Sequence, residues 1–396
     1  MPKNIPETLR PAWIEVDLDA VAHNTRIVKK FLGDTKLLVV VKADAYGLGA
    51  VNTTPTILAN GADKLGVAII DEGIELRNAG ITAPIFNMAG ILPKHAELVA
   101  DNNLEQAVNS TEVALALSDV AVSRGEELIV HLKIDTGMSR WGVRFNRAVE
   151  WITEITKLPN LVCESVFTHF PKSDVLDASF AELQMHRFRD IRRQVELNGI
   201  SIPIWHMANS GGTLNLVAAH FEMVRVGLLV YGYFPSKEVP QPFSLKPAMS
   251  LKAKIIQIKL LQPGDTVGYG RRYTAQGEER IGVLQIGYSD GYDRRLLNCG
   301  EVLINGGRAP IIGGLCMDAC FVGLVNLPDA SVGDTVTLMG RDGEDDISPH
   351  EIADKTGTVS YDDISNFTKR LPRVYFENGE AVAYRSLTTG MLGERL

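Results

Sequence analysis

Lys42 is the residue whose position most strongly suggests chemistry. It follows the apolar, mostly β-branched run Leu37–Val41 and precedes the segment Ala43–Gly47. Such a run predicts a strand that is covered on both faces, as in a parallel sheet flanked by helices. An amine at the end of this strand is partly desolvated, which favours its neutral, nucleophilic form and suits Schiff-base formation with a carbonyl group. The alternative is a lysine that ends the strand and extends its ammonium into water.

Polar residues also stand at the ends of four later strand candidates. They are Lys133, Asp135, His169, His206, Asn209, Ser210, Arg225 and Gly227. If the strands are parallel and close into a barrel, these ends surround one mouth, and the loops after the seventh and eighth strands are the favoured phosphate site.

The stretch 209–213 has the composition that such a phosphate site requires. It offers a hydroxyl and, at Gly211 and Gly212, unobstructed backbone N–H groups ahead of a predicted helix. A Gly-Gly pair taken alone is equally typical of a plain turn. Its place after the seventh strand candidate favours the phosphate-binding interpretation.

Strands and helices alternate through about the first 230 residues. The first helix is predicted over Asp17–Leu32, with Asp17 as its cap and Gly33 at its end. The strand candidates are Leu37–Val41, Leu65–Ile69, Pro84–Met88, Leu104–Val108, Leu128–Ile134, Val162–Thr168, Pro203–Met207 and Glu222–Val226. Helical stretches between them include Asp71–Ala79, Thr111–Ser123, Arg147–Thr156 and Phe180–Leu197. This alternation predicts an N-terminal (β/α)8 TIM-type barrel, although a doubly wound open sheet shares the local pattern.

The pattern changes near residue 240 to short strands separated by Gly, Asp and Pro, which indicates a mainly-β C-terminal domain. Its strand candidates are Ser250–Leu261, Arg280–Tyr288, Glu301–Ile304, Ala309–Ile312, Cys320–Val325 and Thr335–Met339. One helix is predicted there, with Ser348 as cap, Pro349 in its first turn, Glu351 completing a capping box and Gly357 past its end. Because residues 234–242 are proline-rich, we place the barrel domain at 1–238 and the β domain at 239–396.

Composition narrows the functional class. The chain has 396 residues, 45% of them hydrophobic, and a formal net charge of -8, so we expect a large core, a small-molecule substrate and no nucleic-acid partner. No apolar run approaches the roughly 20 residues that span a bilayer, and the first residues lack a signal-peptide core, so we expect a cytoplasmic protein and no membrane partner. The four cysteines form no CxxC pair, which predicts reduced thiols and no metal.

At this point the chain resembles a known family, the alanine racemases, which are pyridoxal 5'-phosphate (PLP) enzymes built from a barrel and a β domain. The resemblance covers nearly the whole length and rests on several motifs that recur in the family's order. They are Val16–Ala20, Val41–Gly47, Leu132–Met138, Thr168–Phe170, Ala208–Ser210, Met223–Gly227, Tyr231–Gly232, Gly287–Gly291 and Cys316–Asp318.

The resemblance implies that the protein interconverts L-alanine and D-alanine by a two-base mechanism and supplies D-alanine for cell-wall peptidoglycan. Lys42 would hold PLP as a Schiff base and serve one face of the substrate α-carbon. Tyr269 of the partner subunit in a homodimer would serve the opposite face. A racemase must remove a proton from one side of that carbon and return one on the other.

The remaining roles that the resemblance implies concern the cofactor and the substrate. Arg225 would face the pyridine nitrogen, supported by His206, and His169 would assist Tyr269. Tyr46, Asn209, Ser210, Gly227, Leu228 and Tyr361 match cofactor contacts, whereas Arg140, Met317 and Tyr288 match substrate contacts. Lys133 matches a lysine that is often carbamylated in the family, and a lysine paired with Asp135 or another carboxylate explains it equally well.

Two positions depart from the family pattern, and two other functions stay open. Leu48 stands where histidine is common, and Gly314 stands where arginine is usual, which puts substrate breadth and rate in doubt. The alternatives are a broader-specificity amino-acid racemase and a barrel-type PLP amino-acid decarboxylase. A decarboxylase would need an acidic partner for the ring nitrogen, and a non-catalytic PLP carrier would end after the barrel.

Overall fold

A computed structural model describes residues 10–390 and 393–395. Two compact units divide the chain: a barrel unit of residues 21–45 and 54–246, and a β unit of residues 1–20, 46–53 and 247–396. The expectation about a signal segment falls on the first nine residues and lies outside the described part of the chain. No helix of the described residues is long and apolar enough to cross a membrane.

The barrel unit is built on one sheet of parallel strands. In chain order after β1 (Ala12–Asp17) of the β unit, its strands are β2 (Lys36–Val40), β3 (Lys64–Val67), β4 (Ile85–Asn87), β5 (Glu105–Val108), β6 (Leu128–Asp135), the short β7 (Val143–Arg144), β8 (Leu161–Phe167), β9 (Ile204–His206) and β10 (Met223–Val226).

The order of these strands identifies a barrel. Leaving out β7, which pairs only with β6, they follow one another in the sheet as in the chain, with β10 beside β2. Backbone hydrogen bonds from Glu222 N to Trp205 O (3.2 Å) and from Arg225 N to Ala208 O (2.9 Å) bridge the two terminal strands. This arrangement excludes the open doubly wound sheet and confirms the predicted barrel with all eight strand candidates.

Nine helices accompany the strands of the barrel in the described residues. They are α1 (Leu18–Leu32), α2 (Lys42–Tyr46), α3 (Ala50–Ala59), α4 (Ile70–Asn78), α5 (Ala96–Asp101), α6 (Thr111–Arg124), α7 (Ala148–Ile155), α8 (Ser179–Leu197) and α9 (Ser210–Asn215). The predicted cap of α1 is confirmed, since Asp17 Oδ1 accepts a hydrogen bond from Ala20 N at 2.8 Å. Gly33 follows the helix in a left-handed conformation, with φ of 60°.

The β unit contains one branched sheet. Its strands are β1, β11 (Met249–Leu261), β12 (Glu279–Leu284), β13 (Glu301–Ile304), β14 (Gly307–Pro310), β15 (Cys320–Gly323), β16 (Thr335–Asp342), β17 (Asp345–Ile347), β18 (Arg373–Glu377), β19 (Glu380–Arg385) and β20 (Glu394–Arg395). Two helices, α10 (Pro349–Thr356) and α11 (Ser360–Ser365), accompany it. As predicted, Ser348 caps α10 by accepting from Glu351 N at 3.1 Å, and Gly357 ends that helix.

The observed division of the chain differs from the predicted one at 238/239: the barrel unit extends to Lys246, and two earlier segments belong to the β unit. Strand β1, assigned in advance to the barrel, lies in the β unit, where it pairs antiparallel with β11 and parallel with β18. Residues 46–53 also group with the β unit, and there Gly47 O accepts a hydrogen bond from Arg373 Nε at 3.0 Å. Both partners are distant in sequence, so no local pattern indicates them.

Candidate active site

The barrel places most of the predicted site residues at the carboxyl ends of its strands. Lys42 follows β2, Lys133 lies near the end of β6, His169 follows β8, His206 ends β9 and Arg225 lies in β10. The sequence interpretation that these residues share one mouth is therefore consistent with the strand order.

The segment that carries Lys42 is a left-handed turn. Ala43, Asp44, Ala45 and Tyr46 have φ values between 52° and 56°, and Ala45 N donates to Val41 O at 2.9 Å. None of these residues is glycine, and each pays about 1–2 kcal/mol for this conformation. Consecutive strained residues of this kind concentrate at functional sites.

Glu72 of α4 holds the start of this turn. Its carboxylate accepts hydrogen bonds from Ala43 N at 2.6 Å and from Ala68 N at 2.8 Å. No described residue forms a hydrogen bond or ion pair with the Lys42 amine itself. Burial and the nearby Arg140 guanidinium lower the pKa of Lys42, while Glu72 acts in the opposite direction. The amine is therefore more available in its neutral form than an exposed lysine.

Arg225 is a buried cation, 4% exposed, that is held by neutral acceptors. Nη1 donates to His206 Nδ1 at 2.8 Å, and Nη2 donates to Thr168 O at 2.8 Å. Nη2 also lies 3.1 Å from His169 Nδ1 and 3.2 Å from Met207 O. Burial, followed by the Arg140 charge, lowers the pKa of Arg225 to about 9. The described contacts leave its Nε–H without an acceptor in the protein.

The two histidines beside Arg225 are neutral. Burial first, and then the Arg225 charge, holds the pKa of both His169 and His206 well below the usual value. A guanidinium can only donate, so the Nδ1 atoms of both rings must be acceptors. Each ring therefore carries its proton on Nε2. His206 thus contacts Arg225, the residue that it was expected to support, and His169 contacts the same guanidinium.

A second cluster lies at the start of α9. Asn209 caps this helix, since its Oδ1 accepts from Gly212 N at 2.9 Å, and it also accepts from Ser173 Oγ at 2.7 Å. Ser210 Oγ accepts from Gly227 N at 3.1 Å. The loops after β9 and β10 thus bring a hydroxyl and a backbone N–H together, with Leu228 buried beside them. The phosphate-site interpretation assigned the N–H groups to Gly211 and Gly212, whereas here Gly212 N donates to Asn209 and the N–H beside Ser210 belongs to Gly227.

Lys133 is buried without an anionic partner among the described residues. Its Nζ lies 4.2 Å from the centre of the Phe167 ring. Asp135, which the sequence offered as its partner, instead accepts from Gly137 N at 2.9 Å and Ser139 N at 3.0 Å. Burial, then the charges of Arg225 and Arg140, lower the pKa of Lys133 well below the usual value. Lys133, Arg140 and His169 line one narrow cleft.

The other predicted site residues belong to the β unit. Tyr269 is 76% exposed, Met317 52% and Tyr288 41%, which is unusual for side chains of this size. Tyr46 lies in the same unit, and burial raises the pKa of its phenol to about 12, so it remains a hydrogen-bond donor at neutral pH. Tyr361 lies in α11.

Comparisons with known proteins agree with these features. Residues 16–235 match the family model described as "Alanine racemase, N-terminal domain", and residues 248–375 match "Alanine racemase, C-terminal domain". The chain belongs to the alanine racemase family. It is 38% identical over 380 residues to "Alanine racemase 1" of Clostridium acetobutylicum, an alignment that covers 96% of this chain and 98% of that one.

Solved structures of the family have the same fold. The alanine racemase of Clostridium difficile 630 superposes with a TM-score of 0.92 at 36% identity, covering 96% of this chain and 99% of that chain. A histidine racemase from Leuconostoc mesenteroides subsp. sake superposes with a TM-score of 0.85 at 30% identity, covering 94% of this chain and 100% of that chain. The alanine racemase fold thus also occurs in a racemase named for a different amino acid.

The two departures from the family pattern have different surroundings. Leu48 is fully buried, so an apolar side chain suits its place. A Cβ at Gly314 would lie 2.8 Å from Tyr269 O, so any larger residue there requires the Tyr269 loop to shift.

Sequence reasoning missed Glu72, whose only signal was an acidic residue in the first turn of a helix.

The two charged residues that shift the pKa of Lys42 act in opposite directions, so their removal should have opposite effects. Glu72→Gln removes an anion that stabilises the ammonium, so the pKa of Lys42 should fall; Arg140→Gln removes a cation and should raise it. The measurement is the pH dependence of Lys42 acylation in PLP-free protein, followed by peptide mass spectrometry. Asp71→Asn, one residue before Glu72, should leave the midpoint unchanged. Equal shifts in all three variants would contradict this electrostatic account.

Proposed function

We propose that the protein is a PLP-dependent isomerase that interconverts L-alanine and D-alanine with Lys42 and Tyr269 as its two bases. The observation that carries the proposal is the barrel mouth itself, where the activated Lys42 amine, the buried Arg225 donor and the Ser210–Gly227 pair stand at ends of strands of one barrel. The family membership of the chain supports the same activity.

The residues present fit PLP. Lys42 would form the covalent attachment, and the Arg225 Nε–H, which no described residue accepts, would donate to the ring nitrogen. The Ser210 hydroxyl and the Gly227 and Leu228 N–H groups would hold the phosphate together with Asn209 and the phenols of Tyr46 and Tyr361. When bound, PLP supplies an electron-withdrawing ring that acidifies the substrate α-hydrogen.

The two bases would work from opposite faces of the α-carbon. Lys42 would take the proton from D-alanine, and its lowered pKa makes the neutral amine more available than that of an exposed lysine. Tyr269 would take the proton from L-alanine. A free phenol has a pKa near 10, and the His169 Nε2–H is the group that would support it.

Arg225 would determine the reaction type. Its guanidinium stays a donor even with a pKa lowered to about 9, so it would keep the ring nitrogen unprotonated. That arrangement limits the electron-withdrawing power of the ring and should suppress transamination and decarboxylation. The position holds no carboxylate, which speaks against the decarboxylase alternative.

Arg140 and Met317 would hold the substrate carboxylate, and Tyr288 would line the substrate position. A broader-specificity racemase remains the second candidate, favoured by the similarity to a histidine racemase and by the Gly314 departure beside Tyr269. We place the enzyme in the cytoplasm, where its D-alanine would supply peptidoglycan synthesis.

The proposed active form is a homodimer in which each barrel mouth is completed by the partner's β unit. Tyr269, Tyr288 and Met317 are exposed on the β unit. The barrel unit exposes Ile69 (54%), Leu92 (57%) and Trp141 (43%) around a single recess near the mouth. Exposed apolar groups of this size mark interaction surfaces.

The first test of the proposal is attachment of the cofactor. Purified protein incubated with PLP, reduced with borohydride and digested should carry the pyridoxyl group on Lys42, and the unreduced protein should form D-alanine from L-alanine. Lys42→Ala should lose both properties. A label on any other lysine would exclude the assignment of Lys42.

Removal of the second base should abolish proton abstraction from one enantiomer of alanine only. Tyr269→Phe deletes one exposed hydroxyl, so the fold and PLP binding should persist while racemisation falls ~10²-fold or more in both directions. In deuterated solvent the variant should still exchange the α-hydrogen of D-alanine but hardly that of L-alanine. Equal exchange of both enantiomers would mean that Tyr269 is not the second base.

Shared sites predict complementation between two inactive variants. Mixing Lys42→Ala with Tyr269→Phe subunits should produce hybrid dimers in which one of the two sites is intact, so activity should partly return. Lys42→Ala mixed with itself is the control. Absence of recovery after demonstrated subunit exchange would refute the proposed sharing.

Carbamylation of Lys133 is the remaining proposal for the site. The lowered pKa of this buried amine favours its neutral form, which can add CO₂ and lose a proton, and the resulting carbamate would supply an anion to surroundings that include the Arg225 and Arg140 charges. Protein equilibrated with ¹³C-bicarbonate should show a carbamate resonance that disappears in Lys133→Gln. A lysine without that resonance would show that the amine stays unmodified.

A further inference from the structure

The interior of the barrel below Arg225 contains a continuous line of polar side chains contributed by different strands. Four hydrogen bonds connect its members. Arg225 Nη1 lies 2.8 Å from His206 Nδ1, and His206 Nε2 lies 2.9 Å from Ser165 Oγ. Ser165 Oγ lies 2.7 Å from His131 Nδ1, and His131 Nε2 lies 2.9 Å from Glu105 Oε2. Every member is buried. His206 was expected to support Arg225, but the three residues beyond it have no assigned role.

The direction of every hydrogen bond in this line follows from the chemistry of its ends. Arg225 can only donate, so His206 accepts at Nδ1 and donates from Nε2 to Ser165. Ser165 therefore donates its single hydroxyl proton to His131 Nδ1. His131 consequently donates from Nε2 to Glu105, whose ionised carboxylate can only accept.

The far end of the line is anchored by a charge pair. Lys64 Nζ donates to Glu105 at 2.5 Å and also bonds to Glu164. Glu105, His131 and Glu164 together have the donor types of a metal site, but the Lys64 ammonium already supplies a cation to both carboxylates. The hydrogen bonds from His131 and Lys64 also keep the pKa of Glu105 below the usual value despite its burial.

This line matters for Arg225 because the described residues give that guanidinium no direct carboxylate. Its acceptors are two imidazole nitrogens and two backbone carbonyls, and the charges that act on it are cationic. The carboxylate that hydrogen bonds connect to it is Glu105, four links away. A directly paired carboxylate would compete with the cofactor for the donor strength of Arg225.

We propose that Ser165, His131 and Glu105 are positioning residues that fix the tautomer of His206 and thereby aim Arg225 at the ring nitrogen of PLP. The inference rests on the proposed PLP function. Each acceptor nitrogen of the line already receives a hydrogen bond, and each proton is donated away from Arg225. The line therefore orients Arg225 but does not deliver a proton to the ring nitrogen.

Three variants test this role. Ser165→Ala breaks the line with the loss of one oxygen, whereas Ser165→Thr keeps the hydroxyl. Glu164→Gln is the matched control, since Glu164 bonds to the same Lys64 and lies 3.6 Å from His131 Nε2 but stands outside the line. If Ser165→Ala does not fold, Glu105→Gln, which can also present a donor to His131, takes its place.

The first readout is ¹⁵N NMR of histidine-labelled, PLP-free protein. We expect the Nε2–H tautomer for both His131 and His206 in the wild type. The His206 signals should change in Ser165→Ala and remain wild-type-like in Ser165→Thr and Glu164→Gln. The opposite tautomer at His206 in the wild type would overturn the proposal without any reference to activity.

The second readout is the amount of pyruvate formed per racemisation event, which reports transamination of L-alanine with conversion of PLP to pyridoxamine phosphate. In Ser165→Ala, kcat should fall about 10-fold or more, with little change in KM, and the pyruvate ratio should rise. The Thr variant should restore both. If Ser165→Ala and Glu164→Gln changed kcat equally, or if the pyruvate ratio did not change in Ser165→Ala, the line would have only a structural role and the inference would be wrong. A wild-type protein without racemase activity would instead refute the proposed function.

Discussion

The burial of the Arg225 cation is the constraint on which the site depends. Removing a guanidinium from water is costly unless its N–H groups are satisfied, and here the cost is offset by acceptors that are neutral. Two histidines, Thr168 O and Met207 O supply them from two neighbouring segments of the barrel, at the ends of β8 and β9. The same burial keeps the pKa of both histidines low, so they remain acceptors. The cation is thus stabilised without being neutralised, and Nε–H is among its N–H groups that no described residue accepts.

Burial and nearby positive charge together lower the pKa values of two lysines. The pKa values of Lys42 and Lys133 both fall, first through burial and then through nearby arginines. Exposure makes the difference between them. Lys42 lies at the edge of the mouth on a strained turn held by Glu72, whereas Lys133 is buried and adjoins Phe167.

Three of the proposed site residues of the β unit, Tyr269, Tyr288 and Met317, are exposed. Tyr269 stands on a loop whose glycines adopt positive φ, with Gly268 at 70° and Gly270 at 73°. Gly314 allows the backbone of that loop to approach closely. Close backbone packing fixes the position of this loop, and the Tyr269 phenol that it carries remains exposed to solvent.

Much of the fold was readable from the sequence because its signals are local. The apolar runs predicted all eight barrel strands, the caps at Asp17 and Ser348 predicted where α1 and α10 begin, and the apolar run before Lys42 predicted that this lysine follows a strand. The left-handed turn after Lys42 was not readable, since Ala, Asp and Tyr carry no propensity for it.

What only the tertiary structure decided concerns partners that are far apart in the chain. Residues 12–17 pair with two strands of the β unit, although they directly precede the first helix of the barrel. Glu105, His131 and Ser165 form one line with Arg225 because strand register brings residues from four further strands together inside the barrel. The sequence determined the elements and the residues that could react, since these follow from local pattern. Register and barrel closure decided which buried polar groups meet, because those contacts depend on long-range packing.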